Sequence, residues 1–480
     1  SLRVGIVNAS QLYNEFSSGT RDATAYRKFM KMLYDRAESI DCAPKYLLLM
    51  GDCAWDNRMA SSQWRSKSPD DYLLCYPSEE SFSDTKSYCM EDYFGLMDDG
   101  EGGNLLRDKS DLGIGRFPVT NATDAKTMVD KSIAYISKEN AGQWKNLVYF
   151  MGDDGDENGH MKYANEVAEK VKSNNPEMEV HKIMWDTFTR VGSAKSNTYP
   201  EATALIKKLM DSGAMVMNYT GHSYAYGLSH EYVILLEDFK QAKGTRLPLW
   251  VTCSCDAMPF DGQTENMGEG AVLNPNGGAV AFYGTARTVY ASQNMYMNTY
   301  FMQYLFGKSN GRRNRLGDAI LLAKSSIISS GKEAGYKENK LQYALLGDPA
   351  LVIGAPEYRV RLDSIDGTKV TNYAYTRLKA GQKVRISGHV EDGSGKEAAS
   401  YNGIVSARLF DSEEDIVCKN NDGATVPFEF TDRQNLLYDS QDSVSDGRFE
   451  MEFVIPIDIN YSDKTGRFVF YAIDNGHTTE

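Results

Sequence analysis

The stretch MNYTGHSYAYGLSHE, residues 217–231, closes an apolar run and opens at once into a polar loop that carries His222. The run that it closes, GAMVMNYT at 213–220, has the composition of a buried β-strand. A second such run, LPLWVTC at 247–253, continues into SCDAMPFD and so places two thiols, Cys253 and Cys255, at its end. The sequence therefore predicts that an imidazole and a thiol follow successive strands.

Strands alternate with helices through about the first 355 residues, which predicts a mostly parallel sheet with helices on both faces. Ligands of such sheets bind beyond the carboxyl ends of the strands. Asp52, Asp154, His222 and Cys255 each follow a predicted strand, so we expect them at one edge of the sheet. The other predicted strands are KYLLLMGD (45–52), DLGIGRFPV (111–119), KNLVYFMGDDGD (145–156), EVHKIMW (179–185), GGAVAFYG (277–284) and ALVIG (350–354).

The pattern changes after Pro356, where short alternating strands are separated by Gly, Asp and Asn turns. This texture predicts an all-β sandwich of the immunoglobulin type. This change divides the chain into an α/β region up to about residue 355 and a β domain at 356–480. The chain opens on SLRVGIV, which predicts a strand and an α/β region that is incomplete at its N terminus.

Composition excludes several classes of protein. A net charge of −14 over 480 residues argues against a nucleic-acid partner, and no apolar run approaches the roughly 20 residues of a membrane-spanning helix. The seven cysteines are odd in number, so at least one lacks an intrachain disulfide partner, while Cys75 and Cys89 lie close enough in sequence to close a short loop. No CxxC pair occurs and the six histidines lack zinc-ligand spacing, so we expect no zinc site.

The chemistry that the two loops suggest is that of a cysteine peptidase. A free thiol has a pKa of about 8.5, so an adjacent imidazole is needed to generate the thiolate at neutral pH. His222 would be that base, and the backbone N–H groups of Ser223 and Cys255 would stabilise the oxyanion. The residues alone leave alternatives open: Cys253 and Cys255 would share a face of a straight strand, and His230 is a rival base.

Long motifs in both loops resemble the gingipain family of cysteine peptidases. NYTGHSYAYGLSHE (218–231) is similar to that family's histidine loop, and VTCSCDAMPFD (251–261) to its cysteine loop, in which a Phe stands five residues after the nucleophile. Phe260 stands in that relation to Cys255, so the resemblance selects Cys255 over Cys253. Further similar stretches are LYNEFSSGTRDATAYRKFMKMLYDRA (12–37), EDYFGLMDDGEG (91–102), DDGDENGHM (153–161) and LLGDPAL (345–351).

The resemblance implies an α/β caspase-like, gingipain-type catalytic domain followed by an immunoglobulin-like domain at 356–480. It divides the catalytic domain into sub-domain A at 1–140 and sub-domain B at 141–355, which carries the histidine and cysteine loops. It implies that Cys255 is the nucleophile, His222 the base and acid, and Asp154, with Asp153 beside it, the carboxylate that orients the histidine. Structural Ca²⁺ is implied as well, and the oxygen-rich loops 95–104 and 152–159 are the candidate sites, with no cofactor required for the chemistry.

Two departures from the family pattern affect what is expected. The family's Gly-His-Gly is here Gly-His-Ser, so Ser223 can supply an N–H only if that position does not need a positive φ. Where the Arg- and Lys-cleaving members carry an acidic residue in the substrate pocket, this chain has about His160. We therefore expect a small or uncharged residue, rather than Arg or Lys, before the scissile bond.

The motifs are most similar to the PorU-like branch of the family, the surface peptidases of the type IX secretion system. That branch implies removal of C-terminal signal domains from secreted cargo, other secretion components as partners, and transfer of the cargo to an amine on lipopolysaccharide. It also implies the outer surface of a Gram-negative bacterium. The alternatives are a surface binding or scaffold protein with little catalytic activity, and a general gingipain-type protease.

Overall fold

A computed structural model describes residues 2–80, 83, 86–192, 196–332, 334–354, 356, 358–371 and 375–475. Residues 46–346 contain one eight-stranded sheet. Its strands are β1 (Tyr46–Met50), β2 (Gly113–Phe117), β3 (Leu147–Gly152), β4 (Glu179–Met184), β5 (Val216–Thr220), β6 (Leu249–Cys253), β7 (Ala281–Thr285) and β8 (Tyr343–Leu346). Their order across the sheet is β1-β2-β8-β7-β6-β5-β3-β4.

Helices precede, follow and connect these strands along the described chain. They are α1 (Ala9–Phe16), α2 (Thr24–Asp35), α3 (Ala122–Ile136), α4 (Gly155–Asn174), α5 (Pro200–Ser212), α6 (Leu236–Gln241), α7 (Met267–Leu273), α8 (Ala291–Leu305), α9 (Leu316–Ser329) and α10 (Ala334–Asn339). No helix within the described ranges is long and apolar enough to cross a bilayer.

Both faces of the sheet are buried, and side chains along each strand alternate between two cores. On β6, Trp250 packs with α5 and α7 on one face, whereas Val251 and Cys253 pack with α4, α8 and α9 on the other. This burial on both faces explains why the central strands read as continuous apolar runs. The predicted mostly parallel sheet with flanking helices is confirmed.

One antiparallel contact divides the sheet into two blocks that run in opposite directions. β7 and β8 pair antiparallel, with Phe282 opposite Leu346, whereas every other neighbouring pair in the sheet is parallel. β1 therefore ends at the edge opposite to the ends of β3, β5 and β6. The prediction that Asp52 shares an edge with Asp154, His222 and Cys255 is wrong for this reason.

Two further predicted strands are not formed. Residues 2–8, which contain most of SLRVGIV, lie outside any helix or strand, and ALVIG follows β8 without joining the sheet. Instead, Pro349 and Leu351 offer their carbonyls to the N–H groups of Gly317 and Leu316, at 2.8 and 2.9 Å. These bonds satisfy two of the free N–H groups at the start of α9, which holds the segment in place.

The C-terminal region is all-β, as the sequence predicts. Its longer strands are β9 (Arg359–Ile365), β10 (Lys383–Glu391), β11 (Gly403–Phe410), β12 (Glu414–Val417), β13 (Glu429–Asp432), β14 (Leu436–Val444), β15 (Arg448–Val454) and β16 (Arg467–Asp474). A four-stranded sheet, Thr368–Lys369 with β9, β10 and β15, and a three-stranded sheet, β14-β11-β16, enclose one apolar core. β12 and β13 form a separate antiparallel hairpin.

That hairpin joins the β domain to the catalytic domain. Cys418 and Phe430 pack against Met161 on α4 and Met184 on β4. Next to this contact, the backbone N–H groups at 420 and 421 donate to the carboxylate of Asp186, at 2.6 and 2.7 Å. The hairpin therefore contacts the two elements that flank the end of β3.

A buried ion pair fixes the position of β2. Arg116 is fully buried, and its guanidinium contacts the Glu91 carboxylate and donates to the Gly51 carbonyl at 2.7 Å. Breaking such a pair costs more than its net contribution because the other charge stays buried without a partner.

We expect Arg116→Met to lower the free energy of unfolding by about 3–5 kcal/mol, because it leaves the Glu91 carboxylate buried without a charge partner. Adding Glu91→Leu should recover much of that loss. Arg385→Met breaks the exposed pair with Glu450 and should change stability by about 1 kcal/mol or less. Denaturant unfolding of the three variants measures this, and equal losses for Arg116→Met and Arg385→Met would contradict it.

Candidate active site

The register of three neighbouring strands brings the candidate residues together. Thr220 on β5 pairs with Gly152 on β3 and with Cys253 on β6, so these three residues form one row across parallel strands. His222 and Cys255 each lie two residues beyond that row. The structure therefore places the predicted imidazole and thiol loops side by side at one edge of the sheet.

The carboxylate of Asp153 organises the histidine loop. It accepts hydrogen bonds from the backbone N–H of His222 at 2.7 Å and from the Tyr219 hydroxyl at 3.0 Å. The intervening Gly221 has no room for a side chain, because a Cβ there would overlap both the Tyr219 hydroxyl and the Asp153 carboxylate. The glycine that precedes His222 in the motif is thus required by this close contact.

The His222 ring lies among one carboxylate and two other imidazoles. Its Nε2 is 3.6 Å from an Asp156 carboxylate oxygen. The His160 ring meets it edge-on, with centroids 4.7 Å apart, and His230 stacks on it at 4.6 Å. The rival base His230 is thus in contact with His222 and is itself exposed to solvent.

The Cys255 thiol hydrogen-bonds to the backbone of Val289, which follows β7. The sulfur donates to the Val289 carbonyl at 3.2 Å and lies 3.5 Å from the Val289 nitrogen, whose N–H points to it. Burial raises the pKa of the thiol above its usual value; the N–H of Val289 works in the opposite direction, and the Asp256 and Asp156 charges raise it further. The thiol is therefore neutral in this arrangement.

Burial distinguishes Cys253 from Cys255, between which the residues alone could not choose a nucleophile. Cys253 is 2% exposed inside β6, and burial raises the pKa of its thiol to about 12. Cys255 is half-buried and lies past the end of the strand. The next residue, Asp256, has a φ of 49°, so the backbone turns sharply directly after the Cys255 thiol.

Ser223 ties the histidine loop to the cysteine loop. Its hydroxyl contacts the Cys255 carbonyl and lies 2.7 Å from the Ser254 hydroxyl. Ser223 is not among the described residues with a positive φ, so serine fits this position without backbone strain. No hydrogen bond within the described chain joins the His222 ring to either sulfur. The oxyanion role of the Ser223 N–H stays a prediction.

Asp154 makes no hydrogen bond to the His222 ring within the described structure, so its orienting role stays a prediction that this geometry does not support. Its carboxylate accepts from the Tyr199 hydroxyl on the buried side, and burial raises its pKa to about 6. Asp156 faces the imidazole instead because Asp156, Glu157 and Asn158 all have a positive φ, which makes a left-handed turn before the regular part of α4. Sequence periodicity gives no sign of such a turn.

His160 is also placed differently from its prediction as a substrate-pocket residue. It is 3% exposed and lies between the His222 ring and the Asp153 and Asp156 carboxylates. A side chain buried in this way cannot line the pocket, so it gives no basis for a preference at the scissile bond.

An ion pair between Asp261 and Arg287 supports the site and was not anticipated from the sequence. Asp261, 2% exposed at its side chain, holds Arg287 through two bonds of 2.8 and 2.6 Å. The pair fixes the segment that follows β7 and so positions Val289 against the thiol. The Phe-Asp of the cysteine loop was a signal for Asp261, but its cationic partner is distant in sequence.

Other cysteines and carboxylates form clusters away from this site. The structure describes all seven cysteines as free thiols, and the sulfurs of Cys53, Cys75 and Cys89 lie within 4.8 Å of one another. Carboxylate oxygens of Asp98, Glu101 and Asp111 also lie within 4.8 Å of one another, in and near the predicted 95–104 loop. This oxygen-only set is of the kind that binds Ca²⁺.

The class of protein follows from the comparison with known families. The family profile of peptidase family C25 matches residues 1–354. The chain therefore belongs to peptidase family C25, the gingipain family.

Solved structures agree on the fold. The Arg-specific cysteine proteinase gingipain R, RgpB, is 16% identical with a TM-score of 0.52, over 94% of this chain and 88% of that one. The complex of the RgpB pro- and mature domains from Porphyromonas gingivalis is 16% identical with a TM-score of 0.54, over 98% and 93%. Dimeric latent PorU of P. gingivalis is 25% identical with a TM-score of 0.44; the match covers 96% of this chain but only 38% of PorU. Among curated proteins, none matches the chain.

The raised pKa of the Cys255 thiol predicts how its reactivity depends on pH. Because little thiolate exists at neutral pH, alkylation of Cys255 by iodoacetamide should be slow at pH 7 and accelerate as pH rises beyond the usual thiol range of about 8.5. Mass spectrometry of time-quenched samples follows the labelled peptide. A fast rate that is already constant below pH 7 would indicate a thiolate–imidazolium pair and contradict the neutral thiol.

The different contacts of Asp154 and Asp156 predict that replacing each one with asparagine has a different effect on kcat/KM. Asp156→Asn should lower kcat/KM for a peptide substrate by roughly 10–100-fold, because the imidazolium loses its charge partner at a half-exposed position. Asp154→Asn keeps an oxygen for Tyr199 and should change kcat/KM by less than about threefold. Steady-state kinetics of both variants decides this, and a larger effect at Asp154 would restore the original assignment.

Proposed function

We propose that this chain is a cysteine peptidase in which Cys255 is the nucleophile and His222 the general base and acid. The observation that carries the proposal is the shared register of β5 and β6, which sets both residues two positions beyond one row. The Ser223 hydroxyl, bonded to the Cys255 carbonyl, supports it by holding the two loops together. The family membership makes this chemistry the expected one.

The reaction requires the thiol to leave the Val289 carbonyl and meet the imidazole. The thiol proton then passes to His222 as the sulfur attacks the scissile carbonyl carbon. The imidazolium returns that proton to the leaving amine, and a thioester remains on Cys255. Water or a second amine attacks the thioester, transfers its proton to His222 and regenerates the thiol. Asp156 balances the positive charge on His222 during both steps.

The substrate class that we propose is the junction between secreted cargo and its C-terminal signal domain, with a lipopolysaccharide amine as a further acceptor. The motifs shared with the PorU-like branch support this choice, together with the outer surface of a Gram-negative bacterium as the location and other secretion components as partners. The same proposal includes two structural points. Residues 356–480 form an immunoglobulin-like domain, and Asp98, Glu101 and Asp111 bind a structural Ca²⁺. We also propose a preference for an uncharged residue before the scissile bond, although the buried His160 does not support it.

One observation favours a second candidate, a surface binding or scaffold protein that retains the fold. The thiol is bonded to Val289 and not to the imidazole, so this arrangement is an inactive one. The two candidates differ in whether the thiol can be drawn towards His222 by a substrate.

A peptide that spans a cargo–signal junction and carries an electrophile at the scissile position tests the proposal. It should label Cys255 in the unaltered chain, and Cys255→Ala should abolish labelling, whereas the matched Cys253→Ala should retain it. His222→Gln should slow labelling by roughly 10²–10⁴-fold. Unchanged labelling in His222→Gln would favour the scaffold protein.

The products of the corresponding cleavable peptide separate hydrolysis from transfer. With a primary amine in the buffer, mass spectrometry should detect both the free acid and the amide of the new carboxyl end. Only the free acid, at every amine concentration, would exclude transfer. A peptide library in place of the single peptide detects a strong Arg or Lys preference, which would indicate a general gingipain-type protease.

A further inference from the structure

The side chains of Asp156, His160 and His222, which lie beyond the ends of β3 and β5, bring three potential metal-ligand atoms close together. The Asp156 carboxylate lies 3.4 Å from His160 Nε2 through one oxygen and 3.6 Å from His222 Nε2 through the other. One donor atom from each residue lies within 4.8 Å of the other two. The sequence showed no zinc-ligand spacing because His222 arrives from a different strand.

His160 is the member whose ring nitrogens lack a hydrogen-bond partner among the described residues. It is 3% exposed, and both of its ring nitrogens are buried without a hydrogen-bond partner. Its nearest carboxylate oxygens, on Asp156 at 3.4 Å and Asp153 at 3.8 Å, do not meet hydrogen-bond geometry. Buried polar groups in native proteins are almost always paired, and an unpaired one costs roughly 1–3 kcal/mol. A bound cation would supply the missing partner for Nε2.

The backbone that presents Asp156 is strained and is held from outside. Asp156, Glu157 and Asn158 have φ values of 54°, 54° and 65°, a left-handed conformation that costs roughly 1–2 kcal/mol per residue. The β domain holds this turn, since Glu157 accepts the N–H of Thr425 at 2.8 Å and Asn158 donates to the Val426 carbonyl at 2.9 Å. Strain that is maintained in this way indicates a functional position for Asp156.

The spacing and the donor types select one class of ion. Bonds from Zn²⁺ to imidazole nitrogen and carboxylate oxygen are about 2.0–2.2 Å long, so neighbouring ligands of a tetrahedral ion stand roughly 3.3–3.6 Å apart. The two separations, 3.4 and 3.6 Å, are of that size but run to different oxygens of Asp156, so the carboxylate must turn to present one oxygen to both imidazoles. Two imidazoles and one carboxylate suit a borderline ion such as Zn²⁺ and not Ca²⁺, which takes six to eight oxygens. The side chains of His222 and Asp156 are 33% and 59% exposed, so an ion can enter from solvent.

We propose that Asp156, His160 and His222 form a binding site for a divalent cation of the Zn²⁺ class, with water as the fourth ligand. The ion would occupy a lone pair of the imidazole that must receive the thiol proton, and would hold that ring towards Asp156. Occupancy of the site therefore suppresses the peptidase reversibly. The binding stands on the geometry alone, whereas the inhibition rests on the proposed function.

Titration of the chelator-treated full chain with Zn²⁺, followed by calorimetry, tests the site. Because the thiols of Cys53, Cys75 and Cys89 offer a second set of zinc ligands, the titration uses Cys53→Ala, in which one ion should bind per chain. Adding Cys255→Ala should leave the Kd unchanged because the Cys255 sulfur is not a ligand. His160→Phe and Asp156→Asn should weaken binding at least about tenfold, the lower limit seen when even an outer-shell partner is lost. His389→Gln, at the β-domain histidine that faces Asp363, is the matched control and should not change the Kd.

Co²⁺ provides a spectroscopic check, since a tetrahedral site with nitrogen and oxygen ligands gives visible bands without a thiolate charge-transfer band. Loss of binding in Cys255→Ala, or a charge-transfer band that disappears in Cys255→Ala, would identify that sulfur as a ligand and overturn the site. Unchanged binding in both His160→Phe and Asp156→Asn would also overturn it. Asp156 is exposed enough that its amide variant is expected to fold, as a thermal melt verifies.

The peptidase assay then separates the two proposals. Zn²⁺ should inhibit cleavage with a midpoint equal to the calorimetric Kd, and a chelator should restore the rate. Normal cleavage at saturating Zn²⁺ would overturn the inhibition. Binding as described in a chain that never cleaves or labels would support the site and exclude the proposed peptidase function.

Discussion

The pairing of Thr220 with Gly152 on one side and with Cys253 on the other is the constraint on which the site depends. Side chains along a strand alternate between faces, so a slip by one residue would exchange the two cores and turn every loop at this edge. Both faces are buried, and the register is therefore fixed by packing across the whole sheet. The position of the imidazole relative to the thiol follows from that register and from the two short loops beyond it.

The β domain contributes to the same edge, although none of its described residues bonds to the thiol or the imidazole. Its hairpin covers the start of α4 with Cys418 and Phe430 and gives backbone N–H groups to Asp186. It also bonds to Glu157 within the left-handed turn. The carboxylate that faces His222 is thus positioned by contacts from more than 200 residues away in the chain.

Much of this arrangement follows from the sequence. The apolar runs predicted the strands, and the loops after two of them led to the prediction of His222 and Cys255, which the structure places two residues beyond one row of the sheet. Strand direction was not predictable, because the one antiparallel pair lies between elements that share no hairpin, and so Asp52 was misplaced. Asp156 was missed in favour of Asp154 because a left-handed turn of three non-glycine residues leaves no periodic pattern. The burial of His160 arises from packing between α4 and the His222 loop, which the composition does not encode.

The antiparallel contact between β7 and β8 also has a consequence for how the chain matures. β8 is inserted between β2 and β7, so Leu346 pairs with Arg116 on one side and Phe282 on the other. The half-sheet of β1 and β2 has no inner neighbour until residues 343–346 have been synthesised. Contacts this distant in sequence form slowly. The nascent chain therefore emerges with an open sheet edge, and the N-terminal half acquires its final architecture only after the last strand of the sheet arrives.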